Sequence, residues 1–148
     1  MTKVTPYNST ETKKKQVTKM FDNIASSYDF LNHTLSLGMD NIWRKIAIKK
    51  LSKNTETILD IATGTGDFAI SAAKYTNANI TGIDISQGML DVGIKKISKK
   101  GLTDRIKLQL ADSENLPFEE NSFDGITAGF GVRNFENLNK GLSEIYRT

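Results

Sequence analysis

The sequence predicts an α/β fold: a Rossmann-like parallel sheet preceded by an N-terminal helical cap. Three observations carry that reading. After residue 53, short β-type runs alternate with helical periods across brief links, the pattern of a parallel sheet covered on both faces. A glycine turn, Asp60-Ile61-Ala62-Thr63-Gly64-Thr65-Gly66-Asp67, closes the first run and opens a helix. Before residue 53 only helical periodicity occurs. Right-handed crossovers make such a chain a doubly wound sheet. The expected units are a helical cap over residues 1–53 and a Rossmann-like ligand-binding unit over 54–148.

Each element has its own signal. Residues 1–10 are polar, contain Pro6 and are expected to fray. Over 11–24 the apolar residues Val17, Met20, Phe21 and Ile24 fall at helical spacing. Ser26-Ser27 is expected to break that helix, a short helical segment follows over 29–35, and Gly38 ends it. Asp40 is placed to cap the next helix, which carries Trp43, Ile46, Ala47 and Leu51 on one face. Strands are expected over 57–62, 79–85, 105–110 and 123–128, with helices over 68–75, 86–100 and 138–146. Gly101 suits a left-handed helix end.

Composition narrows the chemistry. The 148 residues make one domain's worth of chain, 38% hydrophobic and 25% charged, which is ordinary for a folded protein. No apolar run approaches the ~18 residues that span a bilayer, and the lysine-rich start has no apolar core of a secretory signal. A cytoplasmic location is the expectation, with peripheral contact at the inner face of the membrane. The absence of cysteine excludes disulfides, thiolate zinc sites and cysteine nucleophiles. A single histidine, His33, argues against a histidine metal site, and no metal is expected. The net charge of +3 divides unevenly, +6 over residues 1–53 and −3 over 54–148. A basic head can meet an anionic surface or simply be a solvated helix face.

The glycine turn sits where ligands of open α/β sheets bind. Gly64-x-Gly66-x-x-Ala69, with Asp84 twenty residues after Gly64, also satisfies the dinucleotide fingerprint. A nicotinamide-dependent oxidoreductase is therefore a competing reading. A pyrophosphate favours a helix N-terminus free of negative charge, and here Asp60 and Asp67 flank the turn. Two carboxylates suit a ligand with a cationic end, and S-adenosylmethionine carries a sulfonium and an ammonium without phosphate. Asp84, ending the second strand, can accept both hydroxyls of a ribose or cap the helix that follows. Asp112, ending the third and followed by Ser113, can accept from an adenine amino group or cap the next turn.

Asp60 to Asp67, Asp84, Asp112-Ser113, Leu116-Pro117-Phe118 and Asn121-Ser122-Phe123-Asp124 together resemble a class I S-adenosylmethionine-dependent methyltransferase. Tyr28-Asp29-Phe30-Leu31-Asn32, Leu35-Ser36, Trp43 and Phe130-Gly131-Val132-Arg133-Asn134 resemble the ubiquinone/menaquinone biosynthesis C-methyltransferase family. The resemblance runs from about Thr18 to the last residue. Leu31 stands where the family usually has methionine, and Asp40 where it often has histidine.

The resemblance implies C-methylation of a polyprenylated quinol ring, most simply demethylmenaquinol to menaquinol. It implies S-adenosylmethionine held by Asp60, Thr63, Gly64, Thr65, Gly66, Asp84, Asp112, Ser113 and Gly129. A quinol hydroxyl near pKa 10 must lose its proton before the ring carbon attacks. Arg133 is the candidate cation for that phenolate, with Asn134 orienting a hydroxyl or water and Tyr28 facing it from the cap. The family's sheet continues beyond its fourth strand through a Val-Leu-Lys-Pro-Gly-Gly segment, so a truncated member with little or no methyl transfer is the expectation. A non-catalytic chain that at most binds S-adenosylmethionine is the second reading. Nucleic acid is not an expected partner, because the basic head lacks interleaved aromatic residues.

Overall fold

In a computed structural model, residues 5–7, 9–36 and 39–148 are described, with the side chains of 31–35 outside that description. Four strands, β1 (Thr57–Ile61), β2 (Asn79–Asp84), β3 (Ile106–Leu110) and β4 (Gly125–Ala128), form one sheet in the order β3-β2-β1-β4. All neighbours run parallel. Five helices accompany them: α1 (Lys13–Leu35), α2 (Met39–Ile48), α3 (Asp67–Tyr75), α4 (Gln87–Lys99) and α5 (Leu138–Arg147). The chain builds outward from β1 to β3, then returns to lay β4 on the other side of β1. That reversal opens a crevice at the carboxyl ends of β1 and β4, the usual place for a ligand in such sheets.

Alternation along the strands sets the two cores. Ile58, Ile80 and Ile106 stand in register on one face and pack with Ala69, Ala72 and Ala73 of α3, Ile97 of α4 and Ile48 of α2. Leu59, Ile61 and Ile83 point to the other face, with Leu116, Phe118, Phe123 and Ile145 of α5. Each fully buried Ile or Leu contributes about 1.5–3 kcal/mol, so these rows fix the register of β1 against both neighbours. Among the described residues β4 pairs with β1 alone. Its Ala128 is exposed, as expected for an edge.

The structure corrects the cap in three places. Ser26-Ser27 does not break α1, which runs through it. Both serines are exposed, and Ala25 beside them is buried. Serine's small helix penalty is outweighed by packing of the buried face. Ahead of α1, Gln16, fully buried, accepts from the Tyr7 N–H (2.9 Å) and donates to the Glu11 carbonyl (2.8 Å), which ties part of the stretch 1–10 to the helix. The expected apolar face of α2 divides: Trp43, Ile46 and Ala47 are exposed, Leu51 packs against the core beyond the helix, and Ile48 is the buried apolar residue. Asp40 lies inside the first turn of α2 rather than capping it. Gly38, and the side chains of Leu31, Asn32, His33 and Leu35, lie outside the described residues. Gly101 takes the left-handed conformation, with φ +66°.

Candidate active site

The glycine turn begins where β1 stops. Ala62 adopts φ +51°, a left-handed conformation that ends the strand one residue before the expected end. Gly64 and Gly66 follow at +58° and +80°, values that glycine alone adopts without strain. The Thr63 N–H donates to the Ile83 carbonyl (2.8 Å), tying the turn to β2. From the other side α4 presses on it. A Cβ built on Gly93 would meet Leu108 Cδ1 at 2.7 Å and the Thr65 carbonyl carbon at 3.0 Å.

Two adjoining cavities flank this turn. The first, about 90 Å³, is lined by Tyr28, Gly64, Asp84, Asp112, Ser113, Arg133 and Asn134 among others. The second, about 270 Å³, is lined by Tyr28, Trp43, Asp60, Thr63, Gly64, Thr65, Gly129 and Phe130 among others. Tyr28, Ala62, Gly64 and Phe130 belong to both walls. Of the residues predicted from sequence, Gly66 alone borders neither cavity; it forms the N-terminal turn of α3 instead. Arg133 is exposed, with its guanidinium 5.8 Å from the Phe130 ring centroid. Tyr28 packs edge-on against Phe21.

Asp84 is nearly buried and accepts from the Gly64 N–H and the Ser86 N–H, both at 2.9 Å. Burial raises its pKa, and backbone donation from Ser86, Gly64 and Ile85 opposes the rise. The cap of α4 is made by Ser86 rather than Asp84: the Ser86 Oγ accepts from the Met89 N–H. Asp60 is 1% exposed and sits between two threonine donors, Thr63 (2.6 Å) and Thr127 (2.7 Å). Burial pushes its pKa up to about 6, partly offset by those hydroxyls.

Asp67 departs from the sequence reading. Its carboxylate is not free to meet a cationic ligand: Lys96 Nζ lies at 2.6 Å and Arg44 at 3.4 Å. The charge argument against a dinucleotide therefore rests on Asp60 alone. Asp112 is also engaged, with Lys14 Nζ at 2.6 Å and the Glu114 N–H at 2.9 Å.

Sequence reasoning missed the side chains that hold α1 over the crevice. Lys13 donates to the Phe135 carbonyl (2.8 Å), and Lys14 pairs with Asp112. Asp22 accepts from Ser86 Oγ (2.5 Å) and the Gly88 N–H (3.0 Å). Asp29 accepts from Thr65 Oγ1 and from Lys96 (2.5 Å). These partners are 36 or more positions apart, so no local pattern could have paired them.

The sheet order, the glycine turn and the acidic strand ends together define a Rossmann-like methyltransferase fold. A model described as the ubiE/COQ5 methyltransferase family matches residues 9–148, and the chain belongs to that family. It is 51% identical over 147 residues to the demethylmenaquinone methyltransferase of Bacteroides fragilis, covering 98% of this chain and 60% of that protein. Among solved structures it resembles a candidate S-adenosyl-L-methionine-dependent methyltransferase from Methanococcus maripaludis, 28% identical with TM-score 0.72, covering 97% of this chain and 62% of that one. It also resembles a phosphoethanolamine N-methyltransferase of Haemonchus contortus solved with S-adenosylhomocysteine, 29% identical with TM-score 0.63, covering 70% of this chain and 25% of that one. The chain spans about 60% of the length of the curated relative.

Proposed function

We propose that the chain binds S-adenosylmethionine at the first cavity and serves C-methylation of a polyprenylated quinol ring, demethylmenaquinol to menaquinol. The observation that carries this is one wall: Gly64, Asp84, Asp112 and Ser113 share a cavity with Arg133, Asn134 and Tyr28. The residues fit the cofactor. Asp84 offers its carboxylate to the ribose, Ser113 and Asp112 offer the adenine edge, and Gly64 leaves room for close approach. Thr63, Thr65, Gly66 and Gly129 shape the turn and its neighbour, and Asp60 holds Thr63 and Thr127 in place.

When bound, the cofactor supplies a methyl group on a sulfonium, a good leaving group. The protein's task is position: a ring carbon must be held about 3–3.5 Å from that methyl. Arg133 supplies a cation at the cavity mouth for the quinol oxyanion, and Asn134 orients the hydroxyl. Tyr28 and Phe130 line both cavities, so a ring lying beside them would face Arg133 and Asn134 on the side of the first and open toward Trp43 in the second. No helix among the described residues is long and apolar enough to cross a membrane. The excess of lysine in the cap suits an anionic lipid surface as the place where the substrate is met. Residues 1–53 act in this reading as the cap and 54–148 as the cofactor unit.

The test is calorimetry with S-adenosylmethionine and, separately, NAD. Specific binding of the first is expected, weakened by roughly 1.5–3 kcal/mol in Asp84→Ala, the scale of a charge-linked hydrogen bond. Methyl transfer to a short-chain demethylmenaquinol should fall further in Arg133→Ala. Preference for NAD, or an Asp84→Ala affinity equal to the parent's, would overturn the reading.

A further inference from the structure

Resting on that function, we infer that α2 is an interfacial helix that lies on an anionic lipid surface and opens the larger cavity directly onto it. Met39, Ile42, Trp43 and Ile46 are 48%, 57%, 48% and 54% exposed. At 100° per residue they fall within one arc of α2, with the buried Ile48 opposite. A ten-residue helix that turns four large apolar side chains outward is unusual for a surface meeting only water. Its charge is one-sided. The only acid on α2, Asp40, is buried and paired with Arg44 at 2.9 Å. Lys45, Lys49 and Lys50 are exposed beside the stripe. Lys74 of α3 joins Lys45 at Tyr75, each ammonium 5.4 Å from the ring centroid. An apolar stripe edged by lysines and an aromatic is the composition of a helix lying in a bilayer interface.

The cavity explains what such a helix is for. Trp43 belongs both to the stripe and to the wall of the 270 Å³ cavity, and Phe130, 68% exposed, lines the same cavity. Trp43 and Phe130 thus give the cavity an aromatic edge that meets the outside of α2, while Asp40, Arg44 and Asp67 line it further along. A quinol head could enter along this track while its prenyl tail stays in lipid, so the tail need not cross water. A second copy of the chain is the competing occupant, and sedimentation velocity separates the two.

Trp43 is the only tryptophan in the chain, so its fluorescence reports on this face alone. The 148-residue chain is titrated with vesicles of phosphatidylglycerol mixed with phosphatidylcholine, and with phosphatidylcholine alone. Insertion should shift Trp43 emission to shorter wavelength on the anionic vesicles, with quenching by brominated acyl chains. Ile42→Ser with Ile46→Ser should weaken partition by about tenfold or more; both positions are exposed, and circular dichroism melting confirms the fold. Lys49→Glu and Lys50→Glu should each weaken it by about fivefold or more. Unchanged Trp43 emission on anionic vesicles would overturn the inference. So would undiminished binding by the double serine variant, or a dimer in sedimentation velocity that this variant disperses. Cofactor binding is measured on the same sample without vesicles. Cofactor binding without insertion sinks this inference alone, whereas insertion without cofactor binding supports the surface and sinks the functional reading.

Discussion

Lys96, on α4, stands 2.5 Å from Asp29, on α1, across 67 positions of sequence. The same ammonium reaches Thr65 Oγ1 at 3.0 Å and Asp67 at 2.6 Å. One side chain therefore joins the cap, the glycine turn and the start of α3.

Lys96→Met should destabilise the chain by about 1–2 kcal/mol, because Asp29 would keep only the Thr65 hydroxyl and Asp67 only Arg44, in a partly water-screened site. Urea unfolding measures the loss, and added salt should shrink it. Lys95→Met, at an exposed neighbour, should stay within about 0.5 kcal/mol of the parent. Equal effects at the two positions would remove Lys96 from this role.

Asp60 predicts a pH dependence of definite sign. Its folded pKa, pushed up to about 6 by burial, lies above the value in the unfolded chain. The unfolded state therefore binds fewer protons between about pH 4 and 6, and stability falls as pH rises through that window. The penalty is fully present above the folded pKa. Asp60→Asn should remove it, so the variant gains on the parent by on the order of 2–3 kcal/mol from pH 4 to pH 7. Paired denaturation curves at several pH values read this directly, and a constant difference between the two proteins would refute it.

Lys14 holds Asp112 at 2.6 Å, in a cavity of only about 90 Å³. A ligand that uses the Asp112 carboxylate has to displace that ammonium. Lys14→Ala should then tighten S-adenosylmethionine binding by up to about fivefold, the worth of a partly exposed ion pair. Weaker binding in calorimetry would instead make Lys14 a ligand contact.

Gly93→Ala should cost about 1–3 kcal/mol, although alanine favours helix. The added methyl would press on Leu108 and on the backbone of Thr65. Thermal unfolding gives the cost, and a stabilised variant would show that α4 can shift away from the turn.

The sheet was legible because each strand ends in a chemical signal. Ile58, Ile80 and Ile106 sit in short apolar runs that feed two cores, and glycine or aspartate punctuates the ends. The cap was less legible. An amphipathic period says that α2 has an apolar face but not whether protein covers it, and Trp43 and Ile46 proved exposed. Serine pairs signal a helix end only when tertiary packing does not override them, as it does around Ala25. For the site, residue types and spacing located Asp84, Asp112 and Gly64 on one cavity wall. They could not reveal that Lys96, Arg44 and Lys14 neutralise neighbouring carboxylates, because ion pairs between distant elements leave no trace in local order.

Along α1, Lys14, Asp22 and Asp29 recur at intervals of about two helical turns, each bound to a different segment of the sheet's carboxyl edge. Such a helix can detach like a zip, one anchor at a time, rather than swing as a rigid door. Each anchor then opens against its own cost and full exposure of the crevice adds them, so one end can breathe while the assembled contact stays firm. Backbone amides near Lys14 and near Asp29 should accordingly exchange with solvent at different rates, and the slower end identifies the anchor on which release depends.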